Sequence, residues 1–143
     1  VYAEERPQTV IDLGTGTGVL SLAAIALGSR ATLAVDNNLL AVRTAARNFR
    51  MNGMADRILA VQGRAEAFIE HPADLLLANI HYDVMRRLVK SAGFMQKKWF
   101  ILSGLLRSQA GVIAEQLVRV GSILRQQWIG EDLWHTFLGM NPQ

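Results

Sequence analysis

The sequence predicts an α/β fold: a doubly wound, mostly parallel sheet with a C-terminal antiparallel hairpin. Three observations carry this. Short apolar runs alternate with longer segments of helical spacing between Thr9 and Val120, the pattern of a parallel sheet covered by helices on both faces. A glycine-rich stretch, Gly14 to Gly18, stands between the first run and the first helical segment. Beyond Val120 the character changes: two strand-like segments flank Gly130-Glu131-Asp132, which reads as a hairpin.

Taken in order, Thr9 to Leu13 (TVIDL) is a buried strand that ends in the glycine turn. Val19 to Leu27 is rich in Ala and Leu and is stopped by Gly28, so it reads as a helix. Ala31 to Val35 is the second strand, ended by Asp36. From Leu39 to Met51, Leu40, Val42, Ala46 and Phe49 fall on helical spacing with Arg43, Arg47 and Arg50 between them, and Asn52-Gly53 stops the helix. Ile58 to Val61 is the third strand, Ala65 to Glu70 a short helix, and Ala73 to Ala78 the fourth strand. Tyr82 to Phe94 reads as one helix, Trp99 to Leu102 as the fifth strand, and Arg107 to Val120 as the last helix. Ser122 to Ile129 and Leu133 to Met140 form the hairpin. Ligands of such sheets bind beyond the carboxyl ends of the strands. The turns of interest therefore follow Leu13, Val35, Val61, Ala78 and Leu102.

The 143 residues suit one domain, residues 1–143, with little room for a second. The chain opens on Val1 rather than Met and reaches its first strand at Thr9; it reads as a fragment or processed product lacking an N-terminal segment. Half of it is hydrophobic and 19% is charged, enough apolar content for a core and against disorder. There is no cysteine, hence no disulfide and no thiolate metal site, and the three histidines are scattered without ligand spacing, so no metal is expected. A cytoplasmic location is compatible with this. No apolar run approaches the roughly 18 residues of a membrane span, and no signal peptide is visible, so no membrane partner is expected. A net charge of +3 is too small to imply nucleic acid. Positive residues cluster at Arg43, Arg47, Arg50 and at Arg86, Arg87, Lys90, Lys97, Lys98; they read first as solvated helix faces and second as phosphate or acidic-partner contacts. Oligomeric state leaves no mark in the sequence.

The chemistry sits in the turns. In Asp12-Leu13-Gly14-Thr15-Gly16-Thr17-Gly18 the glycines let the backbone turn sharply and a ligand approach without meeting a Cβ. The dinucleotide fingerprint would need Gly or Ala at position 19, where Val19 stands, and the P-loop would need Gly-Lys-Ser/Thr, which is absent. Neither NAD nor ATP is therefore the first choice. Asp36 ends the second strand, where a carboxylate can accept from ribose hydroxyls; its other reading is a helix cap, a role assigned instead to Asn38.

VIDLGTGTGVLSLAA followed by AVDNNLLAVRTAARNFRMNGM resembles the first two motifs of class I S-adenosylmethionine-dependent methyltransferases. The closest flavour is the family that methylates a large-subunit ribosomal protein on lysine and terminal amino groups. DLLLANIHYDVMRRL and WFILSGLLRSQAGVI resemble it too, so the likeness runs from Thr9 onward. It implies a Rossmann-like domain with S-adenosylmethionine as cofactor. Gly14, Gly16 and Gly18 would pass beneath the methionine part, with Asp12 near its amino group, Asp36 on the ribose, and Gly63-Arg64-Ala65 beside adenine. Many relatives carry an acid where Arg64 stands. A guanidinium cannot accept a hydrogen bond, which leaves backbone groups of Arg64 or Ala65 for the adenine.

Asn79-Ile80-His81-Tyr82 ends the fourth strand and lies between two patterns. The ribosomal-protein family has Asn-Ile or Asn-Leu here, followed by small or aliphatic residues. Amino-methylating nucleic-acid enzymes have Asn/Asp-Pro-Pro-Tyr/Phe. Asn79 would border the cofactor, and its Oδ1, with a backbone carbonyl, would accept from a substrate NH₂ and aim the nitrogen lone pair; Tyr82 would wall or stack the acceptor. Asn79 is otherwise a strand-end turn residue. His81 reads either as a proton shuttle or as an exposed turn histidine, while His71 and His135 read as structural. Trp99, Trp128 and Trp134 fall in predicted strands, as core or edge packing. The expected function is methyl transfer to nitrogen, with a protein partner, ribosomal in the family resembled. The alternatives are an RNA or DNA amino-methyltransferase and a non-catalytic cofactor-binding scaffold.

Overall fold

The computed structural model describes residues 1–3 and 5–143. Its strands are β1 (Thr9–Leu13), β2 (Ala31–Asp36), β3 (Ile58–Gln62), β4 (Leu75–Asn79), β5 (Trp99–Leu105), β6 (Ile123–Ile129) and β7 (His135–Met140). Its helices are α1 (Val19–Ala26), α2 (Leu39–Met51), α3 (Ala65–Phe68), α4 (Tyr82–Leu88), α5 (Ala92–Met95) and α6 (Arg107–Arg119). The strands form one sheet in the order β3-β2-β1-β4-β5-β7-β6. The pairs from β3 through to β5 are parallel, and β7 is antiparallel to both β5 and β6. This is the Rossmann-like, mostly parallel arrangement with a C-terminal hairpin that the sequence predicts. The chain winds outward from β1 to β3, then returns across β1 to start β4. The crevice between β1 and β4 is therefore the switch point, where such sheets bind ligands.

The central strands are buried on both faces, and period-two alternation divides their side chains. Ile11, Leu13, Leu76 and Phe100 pack with Met85, Leu88, Ile113 and Leu117 from α4 and α6. Val10, Leu75, Leu77 and Trp99 point the other way, toward Ala24 of α1. Asn38 caps α2, accepting from the Leu40 N–H at 2.9 Å, and the helix buries Val42, Ala45 and Phe49. Leu40 is 71% exposed; the apolar stripe runs through Ala45 rather than Ala46.

Several boundaries differ from the sequence reading. The segment 82–94 is two helices, not one. The Ser91 hydroxyl donates to Leu88 O at 2.7 Å and accepts from Phe94 N at 3.1 Å, so it closes α4 and opens α5 in one turn. β5 extends to Leu105, past a register shift between Leu102 and Leu105, because Gly104 takes φ +84 and lets the strand resume pairing with β7. Trp134 lies before β7, in the hairpin loop, and is 46% exposed; Trp99 is buried and Trp128 sits on the edge strand.

In the second basic cluster Arg86, Arg87 and Lys90 are exposed, as a solvated face requires, but Lys97 is not part of one. Lys97 is fully buried, and its Nζ donates to Ile69 O at 2.6 Å and Gly93 O at 2.7 Å. Burial holds this ammonium below its usual range, against the opposing charge of Glu70. Arg87 pairs with Glu66 at 2.7 Å and Lys98 with Glu5 at 2.6 Å. His135 is buried and bonded to Gln127 at 2.8 Å, while His71 is exposed. No helix among the described residues is long and apolar enough to cross a membrane.

Candidate functional site

The glycine turn is built by hydrogen bonds from three directions. The Gly14 and Thr15 N–H groups both donate to Val35 O, at 2.8 and 2.9 Å, which lays the turn across the end of β2. Beneath it the Asp12 carboxylate is wholly buried. Its Oδ2 accepts from the Ser21 hydroxyl at 2.6 Å and the Thr15 hydroxyl at 2.7 Å. Burial pushes the Asp12 carboxyl up, opposed by the donating hydroxyls of Ser21 and Thr15. Among the described residues Oδ1 has no hydrogen-bond partner, an acceptor left over inside the turn. Gly14 itself, at φ +74, passes so close to β4 that a Cβ there would fall 2.5 Å from Ile80 Cγ2 and 3.0 Å from Asn79 O.

Asp36 ties this turn to the next. Its Oδ2 accepts from the Gly16 N–H at 3.0 Å and its Oδ1 from the Asn38 N–H at 2.9 Å. Its carbonyl accepts from Gly63 N at 2.9 Å, which brings in the turn after β3. Each carboxylate oxygen keeps a further lone pair. The three turns and the end of β4 enclose an open cleft of about 560 Å³, on which Gly14, Asp36, Arg64, Ala65, Glu66 and Asn79 all border. That volume is within the range of small-molecule sites.

Asn79 marks where this cleft meets another. A second depression of about 500 Å³ shares Asn79, Ile80 and His81 with the first and is completed by Ser103, Gly104 and Trp134. Asn79 pairs in register with Ser103, whose hydroxyl is 2.7 Å from the Thr136 hydroxyl. Gly104 makes room for the amide: a Cβ there would stand 2.6 Å from Asn79 Oδ1. His81 caps α4 through a long 3.4 Å contact from Asp83 N to Nδ1 and lies 3.6 Å from the Asp83 carboxylate, with 77% of its side chain exposed.

The structure thus gathers Gly14, Asp36, Arg64, Ala65 and Asn79 at one cleft, of the residues proposed from sequence. Asp12 and Gly18 support the turn from behind: Gly18 caps α1 and abuts the Phe49 ring and Ala45, whereas Gly16 donates its N–H to Asp36 and a Cβ there would meet nothing within 4 Å. Tyr82 borders neither depression. As the first residue of α4 it packs against the main core cluster, and the Arg86 guanidinium lies over its ring at 5.8 Å. Glu66 and Trp134 border the clefts and carried no sequence signal, Glu66 because it reads as a helix residue and Trp134 because it reads as strand.

Residues 2–141 match the family model described as ribosomal protein L11 methyltransferase (PrmA). A Bacillus cereus protein named ribosomal protein L11 methyltransferase is 34% identical over 144 residues, covering 96% of this chain and 44% of that protein. One of the same name from Enterococcus faecalis is 31% identical over 138 residues, covering 95% of this chain and 44% of that protein. The chain therefore spans less than half the length of these relatives. The crystal structure of ribosomal protein L11 methylase from Lactobacillus delbrueckii subsp. bulgaricus superposes with TM-score 0.84 at 25% identity, over 96% of this chain and 71% of that one. M. capricolum TrmK in complex with S-adenosyl-homocysteine shares the fold, with TM-score 0.76 at 12% identity, over 94% of this chain and 62% of that one.

Proposed function

We propose, from the premise that this chain belongs to the ribosomal protein L11 methyltransferase family, that residues 1–143 form one domain that binds S-adenosylmethionine and transfers its methyl group to an amine nitrogen of a ribosomal protein. The observation that carries the reading is the meeting of two depressions at Asn79, one edged by the glycine turn and Asp36, the other by Ser103, Gly104 and Trp134. The residues present suit the cofactor. Gly14 leaves a cradle that a Cβ would fill, Asp36 offers carboxylate lone pairs at the cleft, and a buried acceptor of Asp12 is left over behind the turn. Gly14, Gly16 and Gly18 would support the methionine portion; Asp36 would hold the ribose; and the Arg64-Ala65 turn would lie beside adenine.

S-adenosylmethionine supplies an electrophilic methyl group, so the protein has only to deliver a neutral amine in line with it. Asn79 is suited to that task. Its side-chain amide makes no hydrogen bond to the described residues, and Gly104 keeps space beside its Oδ1. An acceptor-only oxygen aimed at an NH₂ group fixes the hydrogens and so points the lone pair. Positioning of this kind can supply roughly 7–11 kcal/mol of a bimolecular barrier, and it needs no strong acid or base. His81, exposed between the two depressions, is placed to take up the proton that a lysine substrate must lose.

The test is direct. Calorimetric titration with S-adenosylmethionine and S-adenosylhomocysteine comes first, then transfer of a labelled methyl group to purified ribosomal protein L11 and, in parallel, to ribosomal and transfer RNA. Label in the protein supports the proposal. Label in RNA alone overturns the acceptor, and cofactor binding without any acceptor moves the chain to the scaffold class. Cytoplasmic residence belongs to the same proposal, since ribosomal proteins are its substrates.

A further inference from the structure

Adenine presents an amine that donates at one edge, and a site selective for it needs an acceptor there. Position 64, in the turn beside the cleft, carries Arg64, which has none to offer. Two residues on, at the start of α3, Glu66 borders the same cleft with 30% of its side chain exposed. Its Oε1 accepts from Arg87 Nη2 at 2.7 Å and lies 3.6 Å from Arg64 Nη2. The side chains that pair with Glu66 all meet Oε1, and the backbone N–H of Glu66 itself also bears on the carboxylate. The Arg87 guanidinium, more than that of Arg64, holds the Glu66 carboxyl below its ordinary range, so it remains an acceptor at neutral pH.

We infer that Glu66 is the adenine-selecting residue of this chain: Arg87 and Arg64 anchor one carboxylate oxygen, and the other accepts from the 6-amino group of the cofactor. This rests on the S-adenosylmethionine reading above. The arrangement is an exchange of places. The cation at position 64 cannot accept from the ligand, but it helps hold the acid that does. Two guanidiniums on one oxygen restrict the carboxylate's rotation, so Oε2 need not be ordered by the ligand. Arg87 is the positioning residue, because its contact is the short one, and it reaches Glu66 from the neighbouring helix α4.

The experiment compares S-adenosylhomocysteine with its analogue lacking the 6-amino group, by calorimetric titration of the wild-type chain, Glu66→Ala and Arg87→Ala. A site built to accept from a donor discriminates against the ligand without it. Wild-type protein should prefer the adenine ligand by about tenfold, the scale of one hydrogen bond to a charged group at a partly exposed site. Glu66→Ala should abolish the preference by weakening the adenine ligand alone, leaving affinity for the deaminated analogue unchanged. Arg87→Ala should fall between. Circular dichroism and thermal melts verify that the variants are folded. A preference that survives in folded Glu66→Ala, or a wild type that does not discriminate, overturns the role of Glu66 while leaving the cofactor reading intact. Failure of the wild-type chain to bind S-adenosylhomocysteine at all overturns both.

Discussion

Replacing Gly14 with Ala probes the crossing of the glycine turn over the end of β4, and the structure separates its cost into two parts. The backbone at Gly14 has φ +74, where an L side chain costs about 1–2 kcal/mol. The new methyl would also stand 2.5 Å from Ile80 Cγ2 and 3.0 Å from Asn79 O. Overpacking of this kind adds about 1–3 kcal/mol. The variant should therefore lose about 2–5 kcal/mol of stability, with each kcal/mol lowering the melting temperature by about 4 °C for a chain of this length. Urea unfolding of a double-mutant cycle with Ile80→Ala divides the two terms. Removing the Ile80 branch relieves the side-chain clash but leaves the φ strain, so the two substitutions should couple by at least about 1 kcal/mol. S-adenosylhomocysteine affinity should drop in Gly14→Ala and recover only in part in the double variant, because the Asn79 carbonyl remains in the way. A Gly14→Ala chain within about 0.5 kcal/mol of wild type, the range of an ordinary surface change, or a cycle without coupling, would refute the close approach.

Asp36→Ala removes the acceptor of the Gly16 and Asn38 N–H groups and should weaken S-adenosylhomocysteine binding about tenfold or more; calorimetry that finds unchanged affinity in a folded variant takes Asp36 out of the site. Asn79→Ala should leave cofactor affinity near wild type and lower turnover about ten- to a hundredfold, since the lost contact is to the acceptor. Wild-type turnover would sink that role, and lost cofactor binding would mean that Asn79 serves the cofactor instead. Tyr82→Ala, with its ring against the core, should lower the melting temperature and leave KM unchanged; a raised KM at constant stability would return Tyr82 to the acceptor wall. Lys97→Met strips the Ile69 and Gly93 carbonyls of their buried donor and should cost about 1–3 kcal/mol for each acceptor left unsatisfied. Because the folded-state value of Lys97 is lowered from 10.5, the unfolded chain binds more protons between that lowered value and 10.5. Wild-type stability measured against Lys97→Met should accordingly rise with pH through that window, and a falling difference would contradict the direction.

Much of the architecture was legible because it is written in local periods. TVIDL, ATLAV and ADLLLA announce strands by apolar runs of strand length, and the Arg43-Arg47-Arg50 spacing announces a helix, since burial on one face imposes those periods on the chain itself. The glycine turn and Asp36 were legible for the same reason: a tight turn after a strand and an acid at the end of the next are local demands, met by residues adjacent in sequence. Ser91 was missed because one hydroxyl that both ends and starts a helix leaves the apolar period almost unbroken.

What the sequence by itself determined is the order of elements, their alternation and the turns at the carboxyl ends of the strands. Tertiary structure alone decided which side chains those turns share. Glu66 meets the cleft because α3 packs beside α4 and Arg87 reaches across to it. Trp134 borders the same depression as Asn79 because β7, which follows it, pairs with β5 far along the chain. Tyr82 turns to the core although it is adjacent to His81, and Lys97, one residue from an exposed-looking Lys98, is wholly buried. Periodicity is set residue by residue along one chain, whereas these placements depend on strand register and helix packing between segments up to sixty residues or so apart, distances over which a local pattern carries no orientation.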